Sequence, residues 1–391
     1  MVSQSTFNAI DIYNHKAIVE AYILKGERST KLFVENKEVY RSYYRSMVND
    51  ALHLPTIVKH LQSILVLGER IGERSFKSLE RKDFEEIVYA LRSSPRLSPH
   101  TVHKHLTCYR KFYKWLSGGE TYPESVKWIR PQVALQNQKL PESLLNQEEV
   151  KHLINAARHP RDKCLLSILN ETGCRVGEIL SMDIRHIEDC GDYYRMSIQH
   201  SKTIPRKLKL VDSKPFIAQW LNLHPRKDGQ DSPLFIKIGS KGIGKRMPYT
   251  ACRILISKIA HRIGIEKGVN PHNWRHSTAT RYANFMSYAQ LCHWFGWVIG
   301  SKTASIYIHL SGQDLDNVVD EMRGKKSSRK LEDTLASKMC LQCRKENIGT
   351  NDLCDGCGGA LNIAGVLKKE DRIREMELEM KAREKVVEEY M

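Results

Sequence analysis

From Tyr122 to Pro141 the sequence carries three prolines and no hydrophobic period, and this break constrains the fold more than any other feature. Proline removes a backbone donor and biases the residue before it away from helix, so the stretch reads as a linker between domains. Upstream, from Glu38 to Leu116, apolar residues recur at helical spacing. HLPTIVKHLQSILVLGERIG and LERKDFEEIVYALRSS each present one apolar face. A Ser98-Pro99 start opens HTVHKHLTCYRKFYKWL, where Val102, Leu106, Tyr109, Tyr113 and Leu116 share a face, and Gly118-Gly119 ends it. Lys104, Lys111 and Lys114 fall largely on the other side, with Arg110 nearby. Residues 41–121 are therefore expected as a compact helical domain, 122–141 as the linker, and 1–40 as an arm or a first helix.

Beyond the linker the pattern changes. LNQEEVKHLINAA opens with an Asn146 cap and acids at Glu148 and Glu149, and Gly173 punctuates two helices, the second beginning at Arg175 with Glu178 one turn on. Then come alternating segments, IRHIE, YYRMSIQ and KLKLVD, with turn residues at Asp189 to Asp192, which predict a small antiparallel sheet. Lys202 falls at or near the tip of the last hairpin, and Arg206 and Lys207 follow it in an acid-free basic run. KIGSKGIGKR brings Lys241, Lys245 and Arg246 into a glycine-rich loop that lacks the Gly-x4-Gly-Lys-Ser/Thr form of a nucleotide-binding loop. We read it as a loop contacting a phosphate backbone.

The net charge of +17 points to a polyanionic partner, because counterion release makes such a balance effective on nucleic acid. Hydrophobic content of 41% and charged content of 27% are those of a soluble globular chain. No apolar run approaches the ~20 residues of a membrane span, and the polar start MVSQSTFNAIDIYNHK has no signal-peptide core, so the expected location is cytoplasmic, with no membrane partner. Six of the ten cysteines are scattered. The other four form Cys340-x-x-Cys343 and Cys354-x-x-Cys357, the spacing of a tetrahedral four-thiolate zinc site. A reducing compartment disfavours the rival disulfide reading. Residues 338–362 are too few to build an apolar core, so one structural zinc ion is expected to hold them as a ribbon. Residues 324–337 read as a basic linker before it, and 363–391 as a charged helix with Val366, Ile373, Met380 and Val387 spaced by seven, either a short coiled coil or a solvated helix.

The chemistry concentrates in PHNWRHSTATRYA and WFGWVIGSKTASIYIHL. His272 and Arg275, three apart on a helix, can address one anionic group, and an arginine fork grips phosphate bidentately. A tyrosine within reach of such a clamp suits covalent attack on a phosphodiester. His272 and His276 are also spaced as in zinc proteases, but Asn273 stands where those enzymes need a glutamate.

His-x-x-Arg-His-Ser, a Gly296-Trp297 pair and Tyr307 ten residues later resemble the tyrosine recombinase family, the phage-type integrases. The resemblance covers roughly residues 45–325, and with the ribbon and the length the chain looks similar to archaeal element-encoded integrases. It implies a mainly helical multidomain protein: a helical core-binding domain of SAM-like type, then a catalytic domain over 142–323 with its small antiparallel sheet. It also implies roles. Arg175 and Arg275 would clamp the scissile phosphate, with His272 and Trp297 donating to it and Glu178 orienting the site. Tyr307 would be the nucleophile and Lys202 the general acid. Many relatives carry a second histidine where this chain has Trp297, and His293 is the alternative donor. The DNA-facing set would be Lys104, Arg110, Lys111, Lys114, Arg206, Lys207, Lys241, Lys245 and Arg246. The partner implied is double-stranded DNA gripped by a tetramer, with no nucleotide cofactor and no catalytic metal. The expected function is site-specific integration or excision through a 3′-phosphotyrosyl intermediate. A type IB topoisomerase-like or resolvase enzyme shares that chemistry, and a non-catalytic DNA-binding regulator would share only the charge.

Overall fold

The computed structural model describes residues 10–132, 143–199, 204–239, 242–311, 323, 337–372 and 376. The chain divides into two units, Met1–Gln138 and Lys139–Met391.

The first unit is helical among its described residues. Its helices are α1 (His15–Arg28), α2 (Val34–Asn49), α3 (Leu54–Ile71), α4 (Arg81–Arg92), α5 (Pro99–Leu116) and the single turn α6 (Glu124–Lys127). α5 starts as its sequence dictates: the Ser98 hydroxyl accepts from the Thr101 amide at 3.2 Å, and Pro99 occupies the first turn, where no amide donor is missed. The core is aromatic at its centre, where Phe112 meets Tyr43, Phe76 and Tyr113 edge to face. The buried Tyr113 hydroxyl donates to the Phe76 carbonyl at 2.8 Å. Val126 and Ile129 are buried in this same core with Trp128 packed beside them, so the stretch expected as linker from Tyr122 is part of the unit that far. Within the N-terminal segment the described residues include the helix α1, whose Val19 lies in the core.

The second unit is built around α8 (Pro160–Thr172), which is buried along nearly its whole length. α7 (Gln147–Ala156), α10 (Lys214–Leu223) and α12 (Pro271–Tyr282) pack on it. α7 carries the expected cap, with Asn146 Oδ1 accepting from the Glu149 amide at 2.8 Å and Glu149 returning the bond. The sheet has order β1–β2–β3, all antiparallel: β1 (Ile187–Asp189), β2 (Tyr194–Ile198) and β3 (Arg206–Leu210), with Tyr194 opposite Leu210 and Ile198 opposite Arg206. Residues 184–186, expected as strand, are instead a 3-10 turn. The Asp183 amide donates to His186 Nδ1 there at 2.9 Å, which closes the turn before the strand begins. The remaining elements are α9 (Val176–Leu180), α11 (Tyr249–Arg262), α13 (Tyr288–Phe295) and α14 (Lys302–Ser311).

The cysteine segment forms a two-stranded ribbon, β4 (Lys338–Met339) with β5 (Glu346–Asn347). Residues 363–372 are helical. Ile373, Met380 and Val387, like the helix expected from DLDNVVDEM and the basic run 324–330, lie outside the described residues.

Candidate active site

The site is assembled where α8 ends, α9 begins, and α12, α13 and α14 converge. α8 stops at Gly173, whose φ of 56° is the left-handed cap that glycine adopts without penalty. A Cβ at this position would meet the Phe295 ring at 2.6 Å and Thr278 Cβ at 3.0 Å. Gly173→Ala is expected to cost about 1–3 kcal/mol of stability and to displace the carbonyl that Arg275 uses, read by denaturation and by DNA cleavage. A variant as stable and as active as the parent would contradict this packing.

Arg275 lies on α12 and is buried. Its guanidinium donates to the Gly173 carbonyl at 2.9 Å and to the Phe295 carbonyl at 2.8 Å, and it faces the Phe295 and Trp297 rings at 5.2 Å. Burial pulls its pKa down to about 10, and the nearby positive charge of Arg175 pulls the same way. Two guanidinium groups repelling one another in a partly buried corner make a place where an anion is favoured.

Arg175 occupies the N-cap of α9, which Glu178 closes: the Arg175 amide donates to Glu178 Oε2 at 3.0 Å and its Nη1 to Oε1 at 3.1 Å. The side chain of Arg175 is 31% exposed while that of Glu178 is 3% exposed. The carboxylate therefore holds one side of the guanidinium and leaves the remainder open. The second grip on Glu178 comes from Arg206, at 2.9 Å. Arg206 was expected on DNA, and the structure places it elsewhere. Its side chain is 0% exposed and also donates to the Trp294 carbonyl at 2.7 Å. Strand parity explains this: Arg206, Leu208 and Leu210 share the inward face of β3, and Lys207 and Lys209 the outward one. Arg246, also expected on DNA, donates to the Leu180 and Met182 carbonyls at 3.0 and 2.7 Å and pairs with Asp183, so its guanidinium is committed to the fold.

His272 and His276 project from the same side of α12 as Arg275, their rings edge to face at 4.5 Å, with His272 exposed. α12 is started by Asn270, whose side chain accepts from the His272 and Asn273 amides at 3.1 Å. α13 ends on Gly296 at φ 62°, and the chain turns to deliver Trp297. The Trp297 ring lies between Phe295 at 4.8 Å and Tyr307 of α14 at 5.2 Å, the latter pair only 4° from parallel. His293, the alternative donor, is exposed on α13. Tyr307 is 4% exposed, and its hydroxyl is 2.6 Å from His276 Nδ1. Burial pushes its pKa up to about 12, against the pull of Arg275. The sequence placed His276 in the His-x-x-Arg-His-Ser pattern and weighed it as a metal ligand, but gave it no role of its own. The i, i+4 spacing from His272 was visible, but the meeting with Tyr307 depends on how α12 packs against α14.

Arg175, Arg275, Trp297 and Tyr307 are thus gathered in one corner with Glu178 beneath Arg175, and His272 reaches it beside His276. Lys202 belongs to the β2–β3 connection and Lys241 to the loop after Phe235, and both lie outside the described residues. Lys207 and Lys245 are exposed. On α5, Lys111 is exposed, Lys104 donates to Gln62 at 3.1 Å, and Arg110 and Lys114 stand over the Tyr122 ring at 4.2 and 5.6 Å.

At the ribbon, the four sulfurs of Cys340, Cys343, Cys354 and Cys357 lie within 4.8 Å of one another. Two of the pairs, Cys340 with Cys357 and Cys343 with Cys354, are 3.5 Å apart. The Gly358 amide donates to the Cys354 carbonyl at 2.8 Å, and the Arg344 amide to the Cys340 carbonyl at 2.9 Å, closing one tight turn at each pair. Sulfurs about 2.3 Å from a shared centre fit this spacing, so the donor set suits a tetrahedral ion. The helices described include none long and apolar enough to cross a membrane.

A family described as the phage integrase family matches residues 143–314. The tyrosine recombinase XerC of Salmonella typhi is 27% identical over 271 residues, which is 67% of this chain and 86% of that protein. Transposase A from transposon Tn554 of Staphylococcus aureus (strain Mu50) is 25% identical over 196 residues, 48% of this chain and 54% of that one. Among solved structures, the XerH site-specific recombinase bound to palindromic difH substrate in a post-cleavage complex aligns with a TM-score of 0.53 at 18% identity, over 81% of this chain and 98% of that one. The Tn1549 transposon integrase in complex with circular intermediate DNA aligns with a TM-score of 0.56 at 16% identity, over 73% and 98%.

Proposed function

Residues 143–314 being a phage integrase family domain, we propose that this chain is a site-specific tyrosine recombinase that cuts and rejoins double-stranded DNA through Tyr307. One observation carries the reading: the Tyr307 ring lies flat on Trp297, beside the guanidinium of Arg275. The phenol oxygen attacks the scissile phosphorus and the bond from phosphorus to the 5′ oxygen breaks. The DNA 3′ end is left joined to the protein as a phosphotyrosine. Arg175 and Arg275 stabilise charge on the non-bridging oxygens, with His272 and Trp297 donating to the same oxygens. Lys202 protonates the departing 5′ oxygen as general acid. A 5′ hydroxyl from a second duplex then attacks and releases the tyrosine. Because the phosphotyrosyl bond conserves the phosphodiester energy, the cycle calls for no nucleotide cofactor, and the paired guanidiniums do the work otherwise asked of a catalytic metal. Exchange between two duplexes requires four cuts, hence a tetramer on DNA, working in the compartment that holds it. Lys104, Lys111, Lys114, Lys207, Lys241 and Lys245 supply phosphate contacts, as does Arg110, which shares the Tyr122 ring with Lys114.

The test uses labelled duplexes tiling the DNA on both sides of the chain's own coding sequence. These are incubated with the full chain in EDTA, then denatured and treated with protease. A covalent adduct and joined products from two duplexes support the recombinase. Relaxation of supercoils without exchange indicates a topoisomerase-like enzyme, and binding with no adduct a non-catalytic regulator.

For the ribbon, the proposal is one structural zinc ion on Cys340, Cys343, Cys354 and Cys357. Metal analysis of the purified chain should give about one equivalent. In Cys354→Ser, protease should cut the ribbon segment, 338–362, while the rest of the second unit resists, since none of the four thiols belongs to the catalytic corner. Full protease resistance after chelation would sink the assignment.

A further inference from the structure

The phenol of Tyr307 is buried and hydrogen-bonded before any substrate is present, so its proton needs a destination. The Tyr307 hydroxyl is 2.6 Å from His276 Nδ1, a contact spanning 31 residues. The stacked ring planes of Trp297 and Tyr307 hold the phenol against sideways movement, and the His276 ring meets that of His272 edge to face at 4.5 Å. We infer that His276 is the proton acceptor for Tyr307, a catalytic residue separate from the His272 that serves the phosphate. The inference rests on the reading of Tyr307 as the nucleophile.

The step balances as follows. The proton of the phenol passes to His276 Nδ1 as the Tyr307 oxygen bonds to phosphorus. The bond to the 5′ oxygen breaks, and that oxygen receives a different proton from the general acid. In the rejoining step the incoming 5′ hydroxyl gives its proton to that general acid, now deprotonated, as its oxygen bonds to phosphorus, the bond from phosphorus to Tyr307 breaks, and His276 returns its proton to the phenolate. One imidazole thereby serves both directions, as reversal of the same path demands. The charged and titratable groups around it are Tyr307 from α14, His272 and Arg275 from α12 itself, and, facing Arg275, Arg175 and Glu178 at the start of α9. Arg275 favours phenolate on Tyr307.

His276→Asn separates hydrogen bonding from proton acceptance, because the Asn oxygen stands near the place of Nδ1 yet takes no proton at neutral pH. On duplexes captured by the parent chain, single-turnover cleavage by His276→Asn at pH 7 should fall by about 10²–10⁴-fold and recover as pH rises toward ionisation of the phenol. The parent profile should show an acidic limb that the variant lacks. A substrate with sulfur in place of the 5′ bridging oxygen needs no proton on its leaving group, so the defect should persist on it. The same substrate should rescue Lys202→Ala. A parental rate and pH profile in His276→Asn would overturn the inference. So would an equal loss at every pH with DNA binding intact, or rescue by the sulfur substrate. Nitrogen NMR of the labelled full chain gives a readout without DNA: Tyr307→Phe should shift the His276 Nδ1 resonance, and an unmoved resonance would refute the contact. If the parent chain itself yields no adduct, it is the tyrosine reading that fails.

Discussion

Tyr307→Phe is expected to leave a folded protein that binds DNA and forms no covalent adduct. The substitution removes one oxygen and keeps the ring, so the stack on Trp297 at 5.2 Å survives and stability changes little. Loss of the nucleophile should lower adduct formation by a factor on the order of 10⁴ or more, to the floor of the assay. The measurement is adduct on labelled duplex alongside a binding isotherm for the same preparation. The other tyrosines of α12 and α13 have engaged hydroxyls: that of Tyr282 donates to the Glu171 carbonyl at 2.7 Å, and that of Tyr288 to the Ser301 carbonyl at 3.1 Å. An adduct that persists in Tyr307→Phe would give the role to one of them.

Glu178→Ala should be the most destabilising of the substitutions around the arginines. Glu178 is clasped by Arg206, whose side chain is 0% exposed, and by Arg175. Removing the carboxylate leaves a buried guanidinium without its counter-charge, a change that costs about 3–5 kcal/mol when one partner of a buried pair is deleted. The α9 cap is lost with it, because the same carboxylate accepts from the Arg175 amide at 3.0 Å. Equilibrium denaturation of the full chain, followed by fluorescence of the second unit, should show the loss. Cleavage should fall further than the folded fraction does, since Arg175 would no longer be aimed. Glu178→Gln keeps the shape and should fall between. A loss below about 1 kcal/mol in the alanine variant would mean that Arg206 finds another partner.

Much of this was legible in the residues. Helix periodicity and the caps at Ser98 and Asn146 placed α5 and α7, because capping is a local event, and Trp297 and Tyr307, expected at one site, do lie together. The four cysteines declared their site through spacing alone. What escaped was decided by packing. Arg206 reads as one more cation of a basic run, and only its parity with Leu208 and Leu210 on β3 marks it as inward. The Tyr122–Ile129 stretch shows too few apolar residues for a period, yet Val126 and Ile129 are enough to fasten it to the first core. His276 gave no hint of Tyr307, since the two meet only when α12 and α14 pack together.

Arg275 reaches the Gly173 carbonyl across 102 residues of chain, Thr278 reaches the Asn170 carbonyl across 108, and Tyr282 the Glu171 carbonyl across 111. The corner is therefore the closure of one very long loop, whose entropy grows only with the logarithm of its length. Doubling the intervening chain would add about 0.6 kcal/mol to the cost of closing it. The segment holding the sheet, α10 and α11 is accordingly free to lengthen or shorten at its exposed turns, while the facing surfaces of α8 and α12 admit almost no change. Half of the domain expressed alone would own only one side of the closure, and no fragment ending between Gly173 and Arg275 can assemble this corner.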